Sequence, residues 1–299
     1  IFFKRKIFAQ NNIIHVHYIG FNGLILLLFK INNLVLTAWG DDIKTNKKNI
    51  LKNLFIKLIL KKSKIITTDS NEMKNLMCEI DENIKNKVKI INFGIDTARF
   101  SKKKYSSQME MKLKFQNFQN NLKIISLRNH EKNYDIKTLI LSVKKLIDLN
   151  MKVVCLIYGS GPETNNLKKL TMDLSLEKNI FFMGRYQQDE LPYIFSILDC
   201  YVSTSLSDAG IAASTAEAMC CEISSISSNN SENNLWIEHG KTGFLFENKN
   251  VDQLTDILKN LKNFNLTKIG SESRKIILEN NDYNNEMKKV EAIYQDLIK

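Results

Sequence analysis

The sequence predicts an α/β protein built from two doubly wound, Rossmann-like parallel-sheet domains, and three observations carry that prediction. Short apolar runs bounded by Gly, Asp, Asn or Ser alternate with stretches of helical apolar spacing along most of the chain. The runs are continuously apolar, as strands covered on both faces of a parallel sheet must be. The alternation is broken by the polar stretch "SKKKYSSQMEMKLKFQNFQNN", residues 101–121, which reads as the connection between a first domain ending at 104 and a second starting at 105.

Taken in order, "NIIHVHYIG", "NLVLTAWG", "SKIITTDS" and "VKIINFGID" are the strand candidates of the first domain. Those of the second are "LKIISLRN", "KVVCLIYGSGP", "NIFFMGRY", "LDCYVSTS" and "EISSISSNN". Between these lie "YDIKTLILSVKKLIDLN", "ETNNLKKLTMDLSL", "DELPYIFSI" and "IAASTAEAM", each with the three-and-four spacing of a helix covering a sheet. In an open parallel sheet ligands meet the carboxyl ends of the strands. The polar or glycine-bearing strand ends are His17, Trp39–Asp42, Gly94–Asp96, Arg128–Lys132, Gly159–Gly161, Gly184–Tyr186 and Ser203–Gly210, and together they imply a ligand cleft between the domains.

Composition narrows the class. At 43% hydrophobic and 25% charged the 299 residues are those of a globular protein, which excludes disorder. The net charge of +11 favours polyanions, acidic lipid surfaces or phosphorylated small molecules. The five cysteines form no CxxC pair and no Cys/His metal spacing, so the expectation is reduced thiols in a cytoplasmic protein, without disulfide or zinc. The longest apolar run, Leu24–Phe29, is far short of the ~20 residues of a membrane-spanning helix. The chain opens on Ile1, and the expectation is a fragment lacking its true N-terminus.

Five groups carry candidate chemistry. Arg128 and Lys132, four residues apart after a strand, can clamp phosphate oxygens, the guanidinium as a bidentate fork and the ammonium as a point charge. Around Gly210 and Ile211 the chain passes from strand to helix, where free first-turn amides bind anions. Glu217, a turn or more further on, suits the paired hydroxyls of a ribose, unless it only occupies the wet face of an Ala-rich helix. Asp208 either accepts from sugar hydroxyls or caps the helix. In the first domain His15 and His17 lie on one strand; one is expected to face the packed side of the sheet and the other, His17, the cleft.

The segments "HVHY", "LTAWGDDI", "NFGIDTARF", "SLRNHEK", "IYGSGPE", "IFFMGRY", "DELPYIFSILDCYVSTS", "STAEAMCC" and "IEHGKTGFLFENKNVDQL" follow one another as in the retaining GT-B glycosyltransferases of the group 1, family 4 type, which the chain resembles over nearly its whole length. The resemblance implies a GT-B fold with an N-terminally truncated first domain on the acceptor side, a nucleotide-sugar-binding second domain over 105–282, and a helix over 283–299 returning to the first. It implies transfer of a sugar from a nucleotide-diphosphate sugar to a glycan or lipid-linked acceptor, with no metal and no other cofactor. Carried over by position, Arg128 and Lys132 match the diphosphate pair, Glu217 the ribose carboxylate, and Gly210, Ile211, Gly184 and Arg185 the donor pocket. Trp39, Gly40 and Asp41 match the acceptor side of the cleft, with Trp39 standing where many relatives have His, and His17 and Asp208 are the catalytic candidates.

Two departures from the pattern are visible. Asp208 and Glu217 are one position further apart than the family's two acids, which puts Ala209 where the first acid belongs. In "EAMCCEISSISS", Glu222 and Ser224 replace the usual Gly and Pro. Three other readings stay open at this level: a GT-B sugar-nucleotide epimerase, an inactive fragment, and a basic nucleic-acid-binding module. The last is disfavoured because lysines are spread over both halves with no aromatic-interleaved basic motif. Finally "KKNILKNLFIKLILKKSK", residues 47–64, has the lysine-flanked apolar centre of an interfacial helix, so peripheral attachment to the cytoplasmic face of a membrane is expected.

Overall fold

In the computed structural model residues 12–19, 26–44, 50–113 and 118–299 are described, with the side chains of Asp41, Lys44 and Ile50 outside that description. The chain divides into two compact units, residues 1–94 with 283–299, and residues 95–282.

The first unit holds β1 (Ile13–His17), β2 (Asn33–Ala38), α1 (Asp41–Lys44), α2 (Ile50–Lys62), β3 (Ile65–Thr68), α3 (Asn71–Ile80) and β4 (Val88–Ile90). All pairings are parallel and the order is β1-β2-β3-β4. β2 is buried at every position, as its unbroken apolar run demands. α3 was not foreseen as a helix. Ser70 caps it by accepting from the Met73 amide, and Met73, Met77 and Ile80 form its buried stripe at spacings of four and three.

The second unit begins before the polar stretch. Ile95 bridges to Asp282 and its amide donates to the Asn281 carbonyl, while Arg274 holds the Thr97 and Phe100 carbonyls. Those contacts assign 95–104 to the second unit, ahead of the boundary read at 104/105. The stretch itself contains α4 (Ser107–Lys112), capped by Ser106. There follow β5 (Leu122–Ser126), α5 (Ile136–Asp148), β6 (Val153–Tyr158), α6 (Thr164–Asp173), β7 (Ile180–Gly184), α7 (Leu191–Phe195), β8 (Cys200–Ser203), α8 (Ala213–Cys220), β9 (Ser224–Ser228), α9 (Asn233–Trp236), β10 (Phe244–Phe246), α10 (Val251–Asn260) and α11 (Leu266–Asn280). The last helix, α12 (Tyr283–Ile298), belongs to the first unit.

The six strands of this second sheet are parallel in the order β10-β9-β8-β5-β6-β7. α5 lays Ile136, Leu139, Ile140, Val143 and Leu146 against it, each side chain contributing about 1.5–3 kcal/mol on burial. The chain starts at β5, winds outward through β6 and β7, and returns to the other side of β5 as β8. Successive crossovers thus leave β5 and β8 in opposite directions, and the crevice at their carboxyl ends is where such sheets bind ligands.

Candidate functional site

The loops after β5 and β8 meet at this reversal. Arg128, two residues past β5, is 8% exposed, and its Nη2 donates to Asp208 Oδ1 at 2.5 Å. The guanidinium lies over the Tyr134 ring at 4.3 Å. Its contacts to Ser214 Oγ and Ser205 Oγ are long, 3.5 Å each, and its buried Nε has no hydrogen-bond partner among the described residues. A buried arginine so incompletely satisfied is poised for a further acceptor.

Glycine fixes the backbone under it. A Cβ on Gly159, whose φ is +113°, would stand 2.4 Å from the Arg128 carbonyl oxygen, and one on Gly161 2.5 Å from that of His130. The loop after β6 therefore packs backbone to backbone against the loop that carries Arg128, and the His130 amide donates to the Ser160 carbonyl at 3.1 Å. "IYGSGPE" is in this respect a support for the arginine.

α8 starts later than the sequence implied. Its N-cap is Ala212, with no side-chain cap, so the free first-turn amides belong to residues 213–215; Gly210 and Ile211 are buried in the approach to it. The absent side-chain cap overturns the reading of Asp208 as a cap: its carboxylate goes to Arg128 instead. Ser214, in the first turn of α8, faces Arg128 and also meets the Tyr201 hydroxyl at 2.9 Å. An arginine and an uncapped helix N-terminus converge here, which concentrates positive potential for an anion.

Glu217 sits on α8 and is 5% exposed, because every residue from Ser214 to Cys220 is buried. The wet-face reading therefore fails. Its Oε1 accepts from Gln188 Nε2 at 3.2 Å, and burial pushes its carboxyl up to about 7, against weaker opposing effects of Gln188 and Arg99. Lys132 opens a 3-10 turn over Lys132–Tyr134 and is exposed; Gly184, with φ +71°, and Arg185 are exposed at the end of β7. The structure thus gathers Arg128, Asp208 and the start of α8, adds Glu217 from the same helix, and leaves Lys132 and Arg185 in solvent.

The first unit behaves differently. His15 and His17 stack with ring centroids 4.2 Å apart, which corrects the expectation that they face opposite sides: residues two apart on a strand share a face. His15 Nδ1 meets the Tyr294 hydroxyl at 2.5 Å and its Nε2 meets Thr37 Oγ1 at 2.7 Å, and burial together with His17 lowers it to about 4. The exposed His17 ring stacks on Trp39 at 6.0 Å. Gly40 has φ +116°, and Asp41 opens α1 with its side chain outside the described residues. Asp42, which the sequence placed at a strand end without a role, accepts from the amides of Ile19, Trp39 and Gly40 at 2.9, 3.1 and 2.9 Å and so holds the ends of β1 and β2. In the second unit Tyr134, Ser214 and Gln188 were missed, and Ser205 was included in a strand end without a role; a Tyr two residues after Lys132 was the one visible signal.

The family described as glycosyl transferases group 1 matches residues 107–281, more than half of the chain and the whole of this β5–α11 region. The chain belongs to the group 1 glycosyl transferases. This group 1 glycosyl transferase is 23% identical over 296 residues to the N-acetyl-α-D-glucosaminyl L-malate synthase of Bacillus anthracis, covering 96% of this chain and 75% of that one. Among solved structures it is similar to Anabaena HepE, crystallised in complex with UDP, with a TM-score of 0.78, 16% identity and coverage of 94% and 78%. It is also similar to sucrose-phosphate synthase of Thermosynechococcus elongatus, with a TM-score of 0.80, 15% identity and coverage of 95% and 73%. What those structures share with it is the fold, two parallel-sheet Rossmann-like domains of the GT-B type.

Proposed function

We propose that this glycosyl transferase moves a sugar from a nucleotide-diphosphate sugar to a glycan or lipid-linked saccharide. The observation that carries the reading is Arg128, buried and short of acceptors, beside the uncapped N-terminus of α8 at the reversal of the strand order. A diphosphate fits there, with Lys132 adding a point charge from the rim and Glu217, one turn into α8, accepting from ribose hydroxyls. UDP in the HepE complex favours a uridine nucleotide as the donor's carrier. Arg128, Lys132 and the helix amides neutralise the diphosphate as the bond to the sugar breaks, so the reaction is proposed to need neither metal nor other cofactor. Retention of configuration rests on the family resemblance. His17 and Trp39, a stacked and partly exposed ring pair in the first unit, are the proposed acceptor-side surface, with Gly40 and Asp41 beside them.

A peripheral place on the cytoplasmic membrane face is part of this reading. No helix among the described residues is long and apolar enough to cross a membrane. α2 buries Ile56, Ile59 and Leu60 but exposes Leu51, Leu54, Phe55 and Leu58 at spacings of three, one and three, with Lys52, Lys57 and Lys61 at its flanks. That is the pattern of a helix lying in an anionic interface. Sedimentation with anionic vesicles at low salt tests it, and failure to bind excludes attachment through α2.

The donor reading is tested by a thermal-shift screen of nucleotide diphosphates and their sugars with and without EDTA, followed by NMR of the product anomer. A ligand at 100 times its Kd stabilises by about 2.7 kcal/mol. No response to any nucleotide diphosphate overturns the reading; a response abolished by EDTA overturns metal independence alone.

A further inference from the structure

The Arg128–Asp208 ion pair is a contact at the reversal point that a donor diphosphate bound as proposed above has to share. Asp208 Oδ1 lies on Nη2 of the guanidinium, and both side chains are nearly buried, at 8% and 10% exposure. The loop that delivers the carboxylate is tied down from several sides. The Asp208 amide donates to Asn230 Oδ1 at 3.1 Å, its carbonyl accepts from the Ser231 hydroxyl, and the Ser207 and Leu206 carbonyls accept from Asn133 Nδ2 and Asn248 Nδ2 at 2.9 and 3.1 Å. With the backbone held by neighbouring side chains, rotation of the Asp208 side chain alone can uncover the guanidinium. The first turn of α8 carries no acidic residue and no side-chain cap.

We propose that Asp208 is an internal counter-anion, which holds the anion seat on Arg128 in the ligand-free protein and is displaced by the diphosphate of the donor. The proposal rests on the reading of Arg128 as a diphosphate contact. Asp208 and the incoming phosphate carry like charge and want the same donor, so they compete, and the fraction of molecules with the seat open scales the apparent affinity. If the pair is closed about nine-tenths of the time, the apparent Kd for a diphosphate lies about tenfold above the intrinsic value. The device screens out weakly bound monoanions, which cannot displace a tethered carboxylate, and it keeps a buried cation neutralised between turnovers.

The experiment is calorimetric titration of inorganic pyrophosphate and UDP into the wild-type chain, Asp208→Asn, Asp208→Glu, and Arg128→Ala/Asp208→Asn, with the melting temperature of each recorded. The double variant leaves no lone buried charge, so it stays testable where Arg128→Ala alone does not fold, and Asp208→Ser replaces Asp208→Asn should the amide prevent folding. The expected result is that Asp208→Asn binds both ligands several-fold more tightly, about tenfold at nine-tenths closure, that Asp208→Glu stays near wild type, and that the gain vanishes in the double variant. Weaker pyrophosphate binding in Asp208→Asn overturns the proposal in favour of a residue that positions Arg128, and unchanged binding overturns it in favour of a bystander or a sugar contact. If the double variant binds pyrophosphate as tightly as Asp208→Asn, Arg128 is not a phosphate contact and the underlying donor reading fails with it.

Discussion

The described sheet of the first unit runs β1-β2-β3-β4 in chain order, while the sheet of the second runs β10-β9-β8-β5-β6-β7 and reverses beside β5. The buried polar groups differ accordingly. Around His15 and Asp42 they close on one another: His15 bonds Thr37 and Tyr294, Thr37 bonds Thr67 at 2.6 Å, and Asp42 takes three backbone amides, although the buried Thr68 hydroxyl at the end of β3 has no partner among the described residues. At the reversal they stay open: Arg128 Nε has no acceptor among the described residues, α8 has no side-chain cap, and Glu217 is held near its proton by burial. A satisfied network stabilises a fold, whereas an unsatisfied one in a crevice stores binding free energy for a ligand. The comparison supports the proposal that the donor's phosphates bind the second unit, on topology as much as on residue type.

The largest effect expected is that of Arg128→Ala. It removes the cation and strands Asp208 in a buried site, which costs about 3–5 kcal/mol of stability, and it weakens UDP far more than uridine. Equal losses for UDP and uridine would place Arg128 outside the phosphate site and break the contrast between the units. Next is Glu217→Gln. Burial holds the Glu217 carboxyl at about 7, against an ordinary 4.5, so the folded state binds the extra proton between those values. Wild-type stability therefore falls as pH rises from 4.5 to 7 and is level above that, a loss of about 3 kcal/mol that the amide variant does not share. The variant should melt higher than wild type at pH 8 and bind the nucleotide more weakly. Wild-type affinity should rise with pH up to about 7 with uptake of a proton by buffer, because ribose hydroxyls donate to the ionised form. Titrations in buffers of different ionisation enthalpy measure that proton; none released removes Glu217 from the ribose.

The nine strands expected from apolar runs are all present, since continuous apolar segments bounded by turn residues leave the chain few alternatives. β10 was passed over because "FLF" is three residues long, below the length at which periodicity speaks. α3 escaped because "NEMKNLMCEI" is polar on most of its surface and its buried stripe is two methionines and an isoleucine. Arg128, Glu217 and Asp208 were legible as strand-end and helix residues, but their partners were not. Asp208 reaches across 80 positions to Arg128, and no local pattern encodes which of two donors, helix amide or guanidinium, a carboxylate will take. Glu222 is an instructive case: the resemblance places it where Gly is usual, and it adopts φ +61°, the left-handed conformation that glycine takes most readily.

From the first unit, Trp39→Ala sharpens the comparison. The ring is 37% exposed and stacks on His17, so its loss should leave the melting temperature and UDP affinity as they are. If the pair receives the acceptor, kcat/KM for that substrate should drop by about 0.5–1.5 kcal/mol, or about 2- to 10-fold, the value of one aromatic contact. Weakened UDP binding would mean that the units do not divide donor from acceptor in this way.

The smallest effect is that of Lys132→Ala, and it tests whether exposure decides what a phosphate contact is worth. Lys132 shares with Arg128 the loop after β5, yet it stands in solvent and makes no ion pair among the described residues. An exposed ammonium meeting a phosphate contributes about 0.2–1 kcal/mol, so UDP affinity should fall no more than about fivefold with the melting temperature unchanged. That loss should also fade with salt, because the screening length shrinks from about 10 Å at 0.1 M to about 3 Å at 1 M. The loss in Arg128→Ala/Asp208→Asn, by contrast, should persist at 1 M, since the guanidinium acts from a buried seat. A Lys132→Ala loss that survives 1 M salt would show that the lysine is drawn out of solvent when the donor binds. The loop after β5 would then have to move on binding, and Lys132 would rank with Arg128 as part of a desolvated clamp.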